Sequence, residues 1–302
     1  MSYRIKPHKS ASKQVRRVAR ERLEKARNAL LLPAEERAHG IHQARKRIKE
    51  VRGLARLVRK PLGGMFAQEN RRLRDINRKL SAMRDAGALI ETWDALARIA
   101  PELFASKEKL AVRKRLVVRG QDGGQTVEES HRILSEVLDD LAEAENAVAC
   151  WPVTGKDFEL FANGLKKSLG DGRKALEAAC GCVSDERLHD WRKRVKDHWY
   201  HTRLLQAAWP AAFKVRASML KELSELLGQD HDLAMLQMAL EGEPALFGTA
   251  RHREELAAIA DERRIWLQRQ AFKLGKRLYA EAPAALVRRW ERYWAIARAE
   301  LR

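Results

Sequence analysis

Two short runs carry the residue types that bind anions. Residues 42–52 read HQARKRIKEVR and residues 189–199 read HDWRKRVKDHW. On a helix, His42, Arg45, Lys49, Arg52 and Arg56 recur at steps of three and four and share one face. Ile41, Ala44, Ile48, Val51, Ala55 and Val58 form an apolar stripe of the same period, rotated about one residue round, which predicts burial in a helical core. In the second run His189, Arg192, Lys196 and Arg203 lie beside Leu188, Trp191, Val195, Thr202 and Leu205. Lys46 and Lys193 widen the basic band. Like charges at i,i+4 cost a helix a few tenths of a kcal/mol each. Aligning them twice implies that an anion normally compensates. From His42 to Arg56 a helix rises roughly 21 Å, a length suited to several phosphates of a linear polyanion. Arg offers a planar fork to phosphate oxygens and Lys a mobile point charge. Nearby phosphate would raise the pKa of His and make both ring nitrogens donors. A solvated basic face is the ordinary fate of a single charge run; its recurrence argues against that reading here.

The recurrence is an internal repeat. His42 falls on His189, Arg45 on Arg192, Lys46 on Lys193 and Lys49 on Lys196, at a constant offset of 147 (189 − 42). Arg84-Asp85 falls on His231-Asp232, and Leu89 on Leu236, at the same offset. An acidic residue at that place would cap the next helix or orient a neighbouring basic side chain. The His-Asp dipeptides His189-Asp190 and His231-Asp232 raise the alternative of a metal-dependent phosphohydrolase. Against it, Gln43 stands opposite Asp190 and Arg84 opposite His231, and Arg is no metal ligand. No P-loop or His-Glu-x-x-His motif occurs, and His198-x-x-His201, which could touch a metal, reads rather as polar-surface or core-edge histidines. The expectation is therefore a binding protein without catalytic residues, metal or cofactor.

The elements that must position these residues read almost wholly as helix, since β-branched alternating runs are missing. Helices are predicted near 10–31, 41–60, 65–83, 86–99, 103–119, 126–148, 156–179, 186–208, 212–227, 231–241, 249–280 and 284–301. Pro33, Pro61, Gly63-Gly64, Pro101, Trp151-Pro152, Gly242, Pro244 and Pro283 punctuate them. Short connections imply antiparallel bundles, and a repeat of this length implies a duplicated bundle rather than a solenoid. The expected fold is all-α, two pseudo-symmetric four-helix bundles at 1–150 and 151–302 within one domain. The first and third helices should flank 41–60, so that Arg16, Arg20, Arg72 and Lys79 extend its basic surface. Trp151, Trp191, Trp199, Trp266, Trp290 and Trp294 stand mostly at apolar helical spacing and read as core, with Trp199 and Tyr200 as the exceptions able to stack on a base.

The whole chain has 60 Lys and Arg against 41 Asp and Glu, a formal net charge of +19. Such self-repulsion points to a polyanionic partner: polyphosphate, nucleic acid or an acidic membrane surface. Hydrophobic residues make up 45%, which excludes a disordered tail. Cys150, Cys180 and Cys182 make neither a disulfide framework nor a zinc site and fit a reducing interior. No apolar run is long enough to span a membrane. The basic N-terminus lacks the apolar core of a secretory signal and continues into a helical pattern, so it reads as part of the domain, in a cytoplasmic protein.

The pattern His-x-x-Arg-Lys-x-x-Lys, twice, each copy followed by an Arg-Asp or His-Asp element, resembles the CHAD family, the conserved histidine α-helical domain, over essentially the whole chain. The resemblance implies paired four-helix bundles that bind inorganic polyphosphate along a basic surface or channel between them, in proteins associated with polyphosphate granules. It places the binding residues at His42, Arg45, Lys46, Lys49, Arg52 and Arg84, and at His189, Arg192, Lys193, Lys196 and His231. Trp199 departs from the pattern, standing where the first copy has Arg52. A triphosphate tunnel domain, which accompanies many such domains, has neither its strands nor its Glu-x-Glu-x-Lys signature here. Nucleic acid, bound through its backbone, is the alternative and weaker partner.

Overall fold

The computed structural model describes residues 3–82, 85–104, 107–122, 127–155 and 157–300, and within them the protein is helical without strands. The elements are α1 (Ala11–Leu30), α2 (Arg37–Leu57), α3 (Arg59–Leu62), α4 (Met65–Ala82), α5 (Asp85–Ile99), α6 (Pro101–Phe104), α7 (Lys107–Asp122), α8 (Val127–Ala149), α9 (Glu159–Gly181), α10 (Asp185–Leu205), α11 (Pro210–Gly242), α12 (Pro244–Phe247), α13 (Ala250–Leu278) and α14 (Pro283–Glu300). Single 3-10 turns at Ala34–Glu36 and Gln206–Ala208 precede α2 and follow α10. Local chemistry sets several of these limits. Ser10 accepts from the Lys13 amide and Ser184 from the Arg187 amide, capping α1 and α10. Pro210, Pro244 and Pro283 occupy first-turn positions, where a missing N–H costs nothing.

One expected break is absent. The segments predicted at 212–227 and 231–241 form one helix, α11. Gly228 lies mid-helix in the predicted gap, with the Arg192 guanidinium packed against it: a Cβ there would come within 3.3 Å of Arg192 Nη2. The helix expected at 103–119 falls on α6 and α7, and residues 105–106 of it lie outside the described residues.

In the first half α1 packs on α2 and α8, and α4 packs on the same two helices, closing a ring of four. In the second half α9, α10, α11 and α13 close a ring in the same way. The apolar stripe of α2 is buried throughout, as is its counterpart Leu188, Trp191, Val195, Thr202 and Leu205 on α10. A further apolar cluster joins the halves at one end, where Trp93, Leu96 and Leu116 meet Leu236, Leu240 and Leu256. Trp266 is a correction to the sequence reading: it is 46% exposed, and the Arg263 guanidinium stacks 4.3 Å from its ring centroid.

The rings meet chiefly through α2 and α10. The contact is reciprocal. Arg56 Nη1 donates to Asp197 Oδ1 at 2.8 Å, and Arg203 Nη1 donates to Glu50 Oε1 at 3.0 Å. Glu50 and Asp197 are equivalent positions at the sequence offset, and so are Arg56 and Arg203. Between the two bridges lie Gly53 and Tyr200, again equivalent. A Cβ on Gly53 would fall 2.9 Å from the Tyr200 Cβ, so the close approach of α2 to α10 requires glycine. His201 Nε2 donates to the Gly53 carbonyl at 2.9 Å.

Candidate anion-binding site

Because each apolar stripe turns into its own core, each cationic stripe is delivered to the seam between α2 and α10. There the two stripes face one another across a cleft with two joined compartments. The larger, about 450 Å³, is lined by His42, Arg45, Lys46 and Lys49 of α2 and by Arg192, Lys196, Trp199 and Tyr200 of α10, with the α11 face from Lys221 to Asp232 as its third wall. The smaller, about 310 Å³, is lined by Lys49, Arg52 and Arg56 of α2 and by His189, Arg192, Lys193 and Lys196 of α10. Lys49, Arg192, Lys196 and Tyr200 border both and form the throat between them.

The throat is electrostatically crowded. Burial, reinforced by the Arg192 charge, pulls the Lys196 ammonium down to about 8, although Asp232 partly opposes it. Burial likewise lowers the Arg192 guanidinium. Arg52 falls to about 10 through burial and the neighbouring Arg56. Arg192 Nε and His189 Nδ1 are covered from solvent without a hydrogen-bond partner. A covered guanidinium N–H of this kind, with an imidazole nitrogen beside it, suits an oxyanion.

His231 stands beside His189, which lines the smaller compartment. Its ring lies 4.7 Å from that of His189, centroid to centroid, so two histidines 42 positions apart in sequence meet at one edge of the cleft. Burial lowers both pKa values, and His231, Lys193 and Arg192 add to the effect on His189. Asp232 lies within α11 and caps nothing; its charge acts instead on Arg192 and Lys196. Arg84, which stands at the place equivalent to His231, lies outside the described residues.

Several expected contributors are used elsewhere. Arg16 donates to the carbonyls of Trp151 (2.8 Å) and Val153 (3.4 Å), tying α1 to the inter-half connection. Arg72 reaches the Glu143 carbonyl and Glu69. Lys79 bridges to Asp140 at 2.9 Å and Glu136 at 3.2 Å. Arg20 is exposed on α1 and does not line the cleft. Arg203 is spent on Glu50 and stacks on Tyr3 and Trp199. Arg56 borders the smaller compartment but is held by Asp197. The basic surface is therefore a seam and not a band wrapped around the first ring.

The α11 wall was not legible in sequence. Lys221, Ser224 and Gln229 reach the cleft only because α11 packs on α10, and no charge run marks them; of this wall only Asp232 was singled out by the repeat. His198 and His201 are core residues. The first accepts from Arg216 Nε at 3.2 Å, and the second, lowered by burial to about 4, stays neutral against Gly53. Among the described residues no cluster of three or more His, Cys, Asp or Glu is arranged for a metal ion, and no helix is long and apolar enough to cross a membrane.

No curated protein sequence matches the chain. The family model described as CHAD domain matches residues 17–241, a span that contains both cationic stripes, the seam between them and His231. On that match across most of its length, the chain belongs to the CHAD family.

Proposed function

We propose that the protein binds inorganic polyphosphate in the seam between α2 and α10, as a non-catalytic module, and that its two rings of helices are pseudo-symmetric four-helix bundles descended from one duplicated unit. The observation that carries the binding reading is the confrontation of two cationic stripes at a throat where Arg192 and Lys196 sit with depressed proton affinity. Each donor there gains from a bound anion what burial has cost it. A chain of phosphates supplies charge at short, regular intervals and is thin enough to enter a cleft a few side chains wide. Membership in a family associated with polyphosphate binding supports the same reading, and granule association in the cytoplasm follows from it as the setting. The duplication is supported by the reciprocal bridges Arg56–Asp197 and Arg203–Glu50, the pattern expected where a surface pairs with its own copy.

Duplex DNA meets an obstacle at this site. A duplex presents its phosphates on a wide, stiff surface, whereas the throat lies between two closely packed helices. A competition titration at physiological salt tests the proposal: labelled long-chain polyphosphate is displaced by duplex DNA, single-stranded RNA or short phosphates. We expect displacement by unlabelled polyphosphate at far lower phosphate concentration than by either nucleic acid. Equal competition by RNA would replace the reading with general polyanion binding. The double variant Arg45→Glu, Lys49→Glu should weaken binding about 100-fold or more with unchanged helical circular dichroism, since it places one carboxylate in the throat and another in the larger compartment beside it. Retained affinity in that variant would move the site away from the seam.

A further inference from the structure

The α2 and α10 walls of the two compartments are largely equivalent at the sequence offset, but only the larger has a third wall, from α11, and their chemistry differs. The smaller is walled almost wholly by cations. In the larger, two lining positions differ in charge from the first half: Trp199 stands where the first half has Arg52, and Glu225 where it has Arg78. Each exchange removes a cation, and the second adds an anion. Asp232 adds a further carboxylate, and Ser224 and Gln229 add neutral hydrogen-bonding groups. Carboxylates repel inorganic phosphate, and an indole offers it nothing. Both fit an organic group that presents a π face and hydroxyl donors.

Trp199 is placed for this. Its ring is half-buried, fixed by the Arg203 guanidinium 4.7 Å from its centroid, and it still borders the compartment. Glu225 is held by Lys221 at 3.2 Å on the exposed side of α11, at the compartment's wall. At about 450 Å³ the space is in the range of small-ligand pockets. It opens into the Lys49–Lys196 throat, where a phosphate tail would be received.

We propose that the larger compartment is a nucleoside subsite. It takes the end of a nucleoside 5′-polyphosphate, with the base against Trp199, the ribose hydroxyls donating to the Glu225 or Asp232 carboxylate, and the phosphates in the throat. Stacking on an aromatic ring and acceptance from ribose hydroxyls by a carboxylate are the usual physical means of holding a nucleoside. This assignment rests on the polyphosphate reading for the throat and adds to it a second ligand class.

The test is calorimetric titration of the full chain, in metal-free buffer, with inorganic tripolyphosphate and with ATP. Both carry three phosphates, and tripolyphosphate carries the greater charge, so charge alone favours it. We expect ATP to bind about tenfold more tightly, a gain that base stacking supplies. Trp199→Arg, which restores the residue of the first half, should reverse the order. Glu225→Arg, at an exposed position where folding is not at risk, should raise tripolyphosphate affinity and shrink the ATP advantage. Tripolyphosphate binding as tightly as ATP in the unaltered protein would overturn the subsite, as would an ATP preference untouched in both variants. Long-chain polyphosphate titrated alongside separates the two failures. If it binds and ATP has no advantage, only the nucleoside subsite falls; if it does not bind, the reading of the throat falls.

Discussion

His189 and His231 show how a single side chain in this protein is governed by its neighbours. Each sits below the usual histidine value of 6.5, because burial and nearby cations disfavour the imidazolium. A bound phosphate reverses that balance and raises both. Binding therefore takes up protons between the lowered free-state pKa and the raised bound-state one, and affinity falls as pH rises through that window. Lys196 repeats the argument at higher pH: free it titrates near 8, and an anion returns it towards the ordinary lysine value. Affinity for polyphosphate should thus decline in two steps, one across the histidine range and one above about pH 8. Calorimetry in buffers of differing ionisation enthalpy should show proton uptake in both windows. His189→Asn with His231→Asn should remove the lower step, and Lys196→Arg the upper. A profile flat from pH 5.5 to 9.5 would mean that none of the three meets the ligand. The His189 stripe position was readable from helical period alone. The pairing with His231 was not, since it needs α11 to pack on α10.

At the scale of the element, α2 and α10 do two jobs with one set of arginines. The same period that aligns His42, Arg45, Lys49, Arg52 and Arg56 cannot say which of them faces ligand and which faces a carboxylate of the other helix. Glu50 is buried among Arg22 at 3.5 Å, Arg47 at 3.1 Å and Arg203 at 3.0 Å. Asp197 has Arg56 at 2.8 Å and a looser Arg194 at 3.8 Å, and burial holds its pKa raised despite them. Removing one partner of a buried pair leaves the other charge stranded, and the loss grows as fewer partners remain. Arg56→Met should therefore destabilise by about 3 kcal/mol, and Arg203→Met by only about 1 kcal/mol. Urea unfolding at neutral pH measures both. Equal losses would show that the two bridges carry equal weight despite their unequal surroundings. Gly228 teaches the converse about punctuation. The gap predicted between 227 and 231 contains this glycine, yet α11 runs through it, with the Arg192 guanidinium packed against the position.

At the scale of the whole molecule, a net charge of +19 leaves two possibilities, one concentrated site or a uniformly sticky surface. The fold separates them. Arg72 and Lys79 are tied to backbone and carboxylates of the first ring, Arg16 to the connection between halves, and ten lysines and arginines line the cleft. By the counterion-release relation for single strands, log K for polyphosphate should fall with log salt at a slope of about −7 when all of them engage. Arg192→Gln should reduce that slope by about 0.7, and Arg20→Gln should leave it unchanged. Equal effects of both would disperse the site over the surface. The sequence by itself determined the helical class, the burial of Ile48 and Val195, the direction of both cationic stripes and their recurrence. All of these follow from side-chain direction along a helix, which depends on residues three and four apart. Tertiary structure alone decided that the stripes confront each other, that Arg56 and Arg203 clamp Asp197 and Glu50, that Tyr200 rests on Gly53, and that α11 supplies a third wall. Each of those contacts joins residues far apart in the chain, and no local period records where one helix will lie upon another.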